Sequence, residues 1–167
     1  MTGRILVAYA TRAGSTEGIA EVIAEGLRLA GYDAGKARIC DAPDPKEYDR
    51  IILGGPIYMG SMNEVQRYCQ EHEDALQSRI IGVFAVGMSF AGDDEEKHAQ
   101  ARDVLKKAIG QLTPRFSGYF AGMTNPEKLS FFQRTALTVV RTPIDDYRDW
   151  KAIKGWTEEI AEYLRRT

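Results

Sequence analysis

Arg4-Ile5-Leu6-Val7-Ala8-Tyr9-Ala10-Thr11-Arg12-Ala13-Gly14-Ser15-Thr16 joins a continuous apolar run to a short loop rich in hydroxyls. The run is what a strand buried on both faces of a sheet requires. Behind the loop, residues 15–30 set Ile19, Ala20, Ile23, Leu27 and Ala30 on one face of a helix, and Gly31 stands where a helix stop belongs. The alternation continues. A weaker strand is predicted over 34–39, then the irregular Pro43-Asp44-Pro45, a third strand over 50–55, a helix over about 63–76 and the strongest strand over 80–86. A helix over about 95–112 carries Val104, Leu105, Ala108 and Leu112. A fifth strand is expected at 116–122, and a last helix near 150–166 carries Ile153, Trp156, Ile160 and Leu164. Strands alternating with helices in this way predict an α/β fold, a parallel sheet with helices on both faces.

The 167 residues suit one domain. One interval breaks the rhythm: residues 123–147 separate the fifth strand from the last helix, far beyond the ~2–6 residues of an ordinary strand-to-helix loop, and are read as an insertion in a single domain spanning 1–167. The charges nearly cancel, 22 Lys+Arg against 24 Asp+Glu, so the chain lacks the basic surplus of a general nucleic-acid binder. No apolar run approaches the ~20 residues that span a bilayer. The start Met1-Thr2-Gly3-Arg4 has no signal-peptide pattern, and Cys40 and Cys69 are too few for a disulfide framework, so a reduced, cytoplasmic protein is expected.

The loop between the first strand and the first helix holds Thr11, Ser15 and Thr16 as hydroxyl donors and Gly14 for close backbone approach. Free N–H groups at a helix N-terminus, with the helix dipole, make such a turn an anion site; the other reading is a helix start capped by its own Ser or Thr. No Lys follows Gly14, which excludes a GxxxxGK[ST] phosphate loop, and a single Gly excludes GxGxxG. The third strand ends in Leu53-Gly54-Gly55, without the phosphoacceptor Asp of a receiver domain. Ligands of open α/β sheets bind beyond the carboxyl ends of the strands. There the first loop should meet Gly55-Pro56-Ile57-Tyr58-Met59-Gly60-Ser61 and Gly87-Met88-Ser89-Phe90-Ala91-Gly92-Asp93. Tyr58 and Phe90 either cover a flat ligand or pack locally, and Met59 or Met88 suits either place.

With these motifs in order, the sequence resembles the flavodoxin fold family, and within it the menaquinone-dependent protoporphyrinogen IX oxidase group. Thr11-Arg12-Ala13-Gly14-Ser15-Thr16 is similar to that group's T-R-x-G-x-T, the stretch from Gly54 to Gly60 with Ile57 to its G-x-x-I-x-x-G, and Tyr147-Arg148-Asp149-Trp150 to its Y-x-D-W. That group also carries an insertion after the fifth strand, strongly basic there; here Lys128, Arg134 and Arg141 face Glu127, Asp145 and Asp146. The resemblance implies a flavodoxin-like three-layer sandwich with strand order 2-1-3-4-5 and bound flavin mononucleotide (FMN). The expected FMN-binding residues are Thr11, Arg12, Ala13, Gly14, Ser15, Thr16, Pro56, Ile57, Tyr58, Met59, Gly60, Gly87, Met88, Ser89, Phe90 and Gly92. The chemistry then sits on the flavin, without a protein nucleophile or a metal.

Two function classes are implied: a flavoenzyme passing electrons from a substrate to a quinone, and a one-electron carrier that meets redox partner proteins. His72 and His98 belong to no catalytic constellation, and Cys40 and Cys69 are expected to be buried thiols. Asp93-Asp94-Glu95-Glu96 is either a first helical turn favourable to the dipole or a charge that lowers the flavin's midpoint potential. In the insertion, Leu129, Phe132, Ala136, Val139 and Val140 share one arc of a helical wheel, with Arg134 and Arg141 opposite. That arc, at about 129–141, either packs on the domain's own edge or meets a partner, a quinone or the inner face of the membrane.

Overall fold

Along β1 (Arg4–Tyr9), Ile5, Val7 and Tyr9 fall on one face and Leu6 and Ala8 on the other, and all five are buried. A run that is apolar on both parities can feed two cores at once, one on each side of a central sheet. The computed structural model describes residues 3–12, 14–123 and 146–167 and shows this arrangement. After β1 come α1 (Ser15–Leu29), β2 (Asp33–Arg38), β3 (Arg50–Pro56), α2 (Asn63–Glu71), α3 (Glu73–Gln77) and β4 (Ile80–Val86). Then follow α4 (Glu95–Ile109), β5 (Phe116–Phe120) and α5 (Trp150–Arg166). The sheet is parallel throughout, in the order β2-β1-β3-β4-β5, as expected. The chain leaves β1 toward β2 and returns across it to β3, so the order reverses between β1 and β3.

On one face, α1 and α5 close over Ile5, Val7, Tyr9, Ile52, Phe84 and Phe120. On the other, α2 and α4 close over Leu6, Ala8, Leu53, Val83 and Ala85. The α1/α5 side holds an aromatic cluster: Trp156 meets Phe84 at 6.1 Å and Phe120 at 5.6 Å between centroids, both edge-on. The sheet makes room for it by omission. The Phe84 ring lies directly on Gly54, and a β-carbon on Gly118 would stand 2.7 Å from Phe120 and 3.0 Å from Trp156.

Three expectations change. The predicted 63–76 helix is two helices broken at His72 (φ −120°, ψ 23°). The apolar spacing of Val65, Tyr68, Cys69 and Leu76 runs across the break, while Glu73 and Asp74 open a new first turn where the dipole favours acids. The fourth helix ends at Ile109 because Gly110 turns to φ 62°, leaving Leu112 buried just beyond it. Cys40 is exposed, not buried, because it sits in the single turn Ile39–Asp41 after β2; Cys69 is buried as expected. Ala13 and residues 124–145, with the predicted arc at 129–141, lie outside the described residues. Among the described residues no helix is long and apolar enough to cross a membrane.

Candidate functional site

The loops after β1, β3 and β4 meet at the carboxyl edge of the sheet, where its order reverses. The first is pinned to the second by Ala10 N–H donating to Gly54 O at 3.0 Å. Thr11 Oγ1 accepts from Gly14 N–H at 3.1 Å, and Gly14 takes the left-handed φ of 87° that turns the chain into α1. Side-chain capping of α1 by Gly14 is impossible, so its first N–H groups remain available at the positive end of the dipole. The hydroxyls of Ser15 and Thr16 lie in this first turn. Thr16 is fully buried and its Oγ1 has no hydrogen-bond partner. An orphaned buried hydroxyl costs about 1–3 kcal/mol, and an acceptor at the helix N-terminus removes that penalty. This donor set fits the phosphate of FMN.

Ile57 N–H donates to Val86 O at 2.8 Å, which fixes the second loop against β4. Tyr58 and Ser61 then exchange backbone hydrogen bonds of 2.9 and 3.1 Å around Met59 (φ 49°) and Gly60 (φ 75°). Two consecutive left-handed residues form the tight turn that matches hairpin twist. Met59 is 87% exposed at its tip. The Arg12 guanidinium lies 3.7 Å above the Tyr58 ring, a cation–π contact that joins the first loop to the second.

In the third loop Gly87 N–H donates to Phe120 O at 3.0 Å, and Met88–Phe90 forms a single helical turn. Phe90 packs between His98 (5.7 Å) and Tyr119 (5.6 Å), so its ring is already engaged by the protein, whereas Tyr58 is half exposed. A His98 ring nitrogen, Nε2, lies 2.6 Å from Gly92 O and ties the loop to α4. The acids that follow are held by the helix: Asp94 caps α4 by accepting from Glu96 and Lys97 N–H, and Glu95 pairs with Arg102 at 2.7 Å. Pro56 ends β3, and a β-carbon on Gly87 would stand 3.6 Å from Ile57, so the second and third loops are in contact. Ser89 lies in the Met88–Phe90 turn, and Gly92 has open space around it.

A fourth segment joins this edge. Met123 and Asp146 form an antiparallel bridge, and Tyr147 N–H donates to Gly122 O at 3.1 Å. Gly122 sits against Ser15: a β-carbon there would be 3.3 Å from Ser15 Oγ. Arg148 donates to both Asp146 oxygens, Nε to Oδ1 at 2.9 Å and Nη2 to Oδ2 at 2.8 Å, and holds that carboxyl below its ordinary pKa. His98, Asp146 and Arg148 were not among the residues expected from sequence. The Tyr147-Arg148-Asp149-Trp150 motif is the available signal for Arg148 and, by adjacency, for Asp146; His98 has none.

A family profile described as flavodoxin domain matches residues 6–150. The chain belongs to the flavodoxin domain family. It is a flavodoxin-like, FMN-binding redox protein. Over 172 aligned residues it is 23% identical to "Protoporphyrinogen IX dehydrogenase [quinone]" of Escherichia coli strain K12, covering 95% of this chain and 94% of that protein. It is 29% identical to a flavodoxin of Clostridium saccharobutylicum over 97 residues, 55% of this chain and 61% of that protein. Among solved structures, a Fusobacterium nucleatum flavodoxin bound to flavin mononucleotide superposes with a TM-score of 0.60 at 17% identity, covering 97% of this chain and 99% of that one.

Proposed function

We propose that this flavodoxin-like chain is a flavin-dependent oxidoreductase that takes electrons from protoporphyrinogen IX or a related reduced tetrapyrrole and delivers them to a quinone. The observation that carries the cofactor pose is the orphaned, fully buried Thr16 hydroxyl in the first turn of α1. Thr11, Ser15, Thr16 and the free N–H groups hold the phosphate, with Arg12, Ala13 and Gly14 completing the loop. The second and third loops, Pro56 to Gly60 and Gly87 to Gly92, flank the ring system. When bound, the flavin ring exchanges electrons and protons with substrate and acceptor. The protein would orient it: the glycines of the second and third loops would let backbone approach the polar ring edge, and Tyr58, steadied by Arg12, would cover the ring.

Two observations support an enzyme. The alignment with the quinone-linked dehydrogenase is coextensive, whereas the flavodoxin alignment spans about half of this chain. Apart from Leu29 at the far end of α1, the exposed large apolar side chains Tyr58, Met59, Met88, Tyr119 and Tyr147 lie on or beside the loops of this edge, a suitable surface for a flat apolar reactant. The acids from Asp93 to Glu96 favour the second reading, a carrier without its own substrate that docks on a basic redox partner. The proposed setting is the cytoplasm, with the quinone met at the inner face of the membrane and the chain acting as one domain.

Anaerobic mixing of the FMN-loaded protein with protoporphyrinogen IX, followed by menadione, tests this. The enzyme reading expects flavin absorbance near 450 nm to bleach with the first and return with the second, at rates that support turnover. Failure of the first step, with rapid reoxidation of the dithionite-reduced protein by an electron-transfer protein, leaves the carrier.

A further inference from the structure

The first turn of α1 has a cation at its flank. Arg148 is only 13% exposed, and a β-carbon built on Gly18 would stand 2.6 Å from its Nη1. Gly18 is one helical turn from Ser15 on the same face, a spacing of about 5–6 Å. The positive end of a helix disfavours a cation. The fold nevertheless fixes this one, by the two hydrogen bonds to Asp146 and by the Trp150 ring 4.5 Å away. The base of the insertion, through Gly122, rests on Ser15 beside it. Within the loop itself Arg12 is the only cation, and it is exposed and turned onto Tyr58.

An anion of nearly two charges in the first turn changes the balance, because a phosphate monoester is close to dianionic at neutral pH. We propose that Arg148 is a positioning residue for the FMN phosphate, acting through the first turn of α1 as a fixed, largely buried positive charge, with Asp146 as the opposing charge that tempers it. The inference rests on the reading of 11–16 as the phosphate loop. It predicts opposite effects for the two members of one ion pair, which a purely structural clamp does not. A dianion about 7–8 Å from one unit charge, at an effective dielectric close to that of water, gives a three- to tenfold change in binding that salt reduces.

The test is a titration of apoprotein with FMN and, separately, with riboflavin, which lacks the phosphate, at low and high salt. Arg148→Met should weaken FMN three- to tenfold, leave riboflavin unchanged and flatten the salt dependence; Arg148→Lys should restore most of the loss. Asp146→Asn, which keeps an acceptor for the Arg148 backbone N–H, should tighten FMN by a similar factor and leave riboflavin unchanged. Equal weakening of both ligands by Arg148→Met, or weaker FMN binding by Asp146→Asn, overturns the proposal. Should Arg148→Met fail to fold, Asp146→Asn alone decides by its sign. Thr16→Val separates the two claims. If it leaves the preference for FMN over riboflavin intact, the phosphate-loop reading fails. If it abolishes that preference while Arg148→Met has no effect, only the role of Arg148 fails.

Discussion

Replacing Thr16 by Val should make the empty protein more stable and the loaded protein harder to form. Val has the shape of Thr with a methyl in place of the hydroxyl, so the packing around a fully buried side chain is retained. The hydroxyl has no partner within the protein, and its burial carries a penalty of about 1–3 kcal/mol that the methyl removes. At ~2–4 °C per kcal/mol for a chain of this size, the apoprotein should melt about 2–12 °C higher. FMN binding moves the other way. A hydrogen bond to a charged group is worth about 1.5–3 kcal/mol, so affinity should fall by about 10- to 150-fold. Paired thermal melts of apoprotein and fluorescence titrations with FMN measure both. A lower apoprotein melting temperature together with unchanged FMN affinity would refute the reasoning, because the hydroxyl would then be satisfied inside the protein and idle toward the ligand.

Gly54→Ala should destabilise the fold by about 1–3 kcal/mol, since the new methyl meets the Phe84 ring, which is fully buried and backed by Trp156; a urea midpoint unchanged from wild type would refute this. In native protein at pH 8 a thiol reagent should titrate only Cys40, which is exposed, and Cys69, whose burial pushes its pKa up to about 12, should react only after denaturation; two fast thiols in the native state would contradict the placement of α2. Asp146 has a folded pKa held below its ordinary value by Arg148, so its pairing stabilises the fold above the unfolded pKa of about 3.9 and is lost as pH falls through the lower folded value; Asp146→Asn should flatten that acid limb of the stability curve.

The parts of the fold read correctly from sequence are those where one residue's neighbours in the chain determine its surroundings. The doubly apolar runs of β1, β3 and β4 predicted a sheet covered on both faces, and Gly31 marked the helix stop near its observed place. The break at His72 escaped because the apolar spacing of Val65, Tyr68, Cys69 and Leu76 continues through it. The three loops of the site were legible as glycine-rich, hydroxyl-bearing turns at strand ends. What they hold came from the resemblance to flavodoxins. The Arg12–Tyr58 contact, the His98 tie to Gly92 and the seat of Arg148 on Gly18 were not legible, because each depends on how a loop folds back or on segments far apart in the chain.

The pairing of Met123 with Asp146 brings the two ends of the segment between them side by side. An appendage whose ends are already joined leaves the frame nearly indifferent to its length, since each doubling of a flexible loop adds only about 0.6 kcal/mol of closure entropy. The sheet, both cores and the flavin edge can thus persist while this one segment is lengthened, recharged or exchanged.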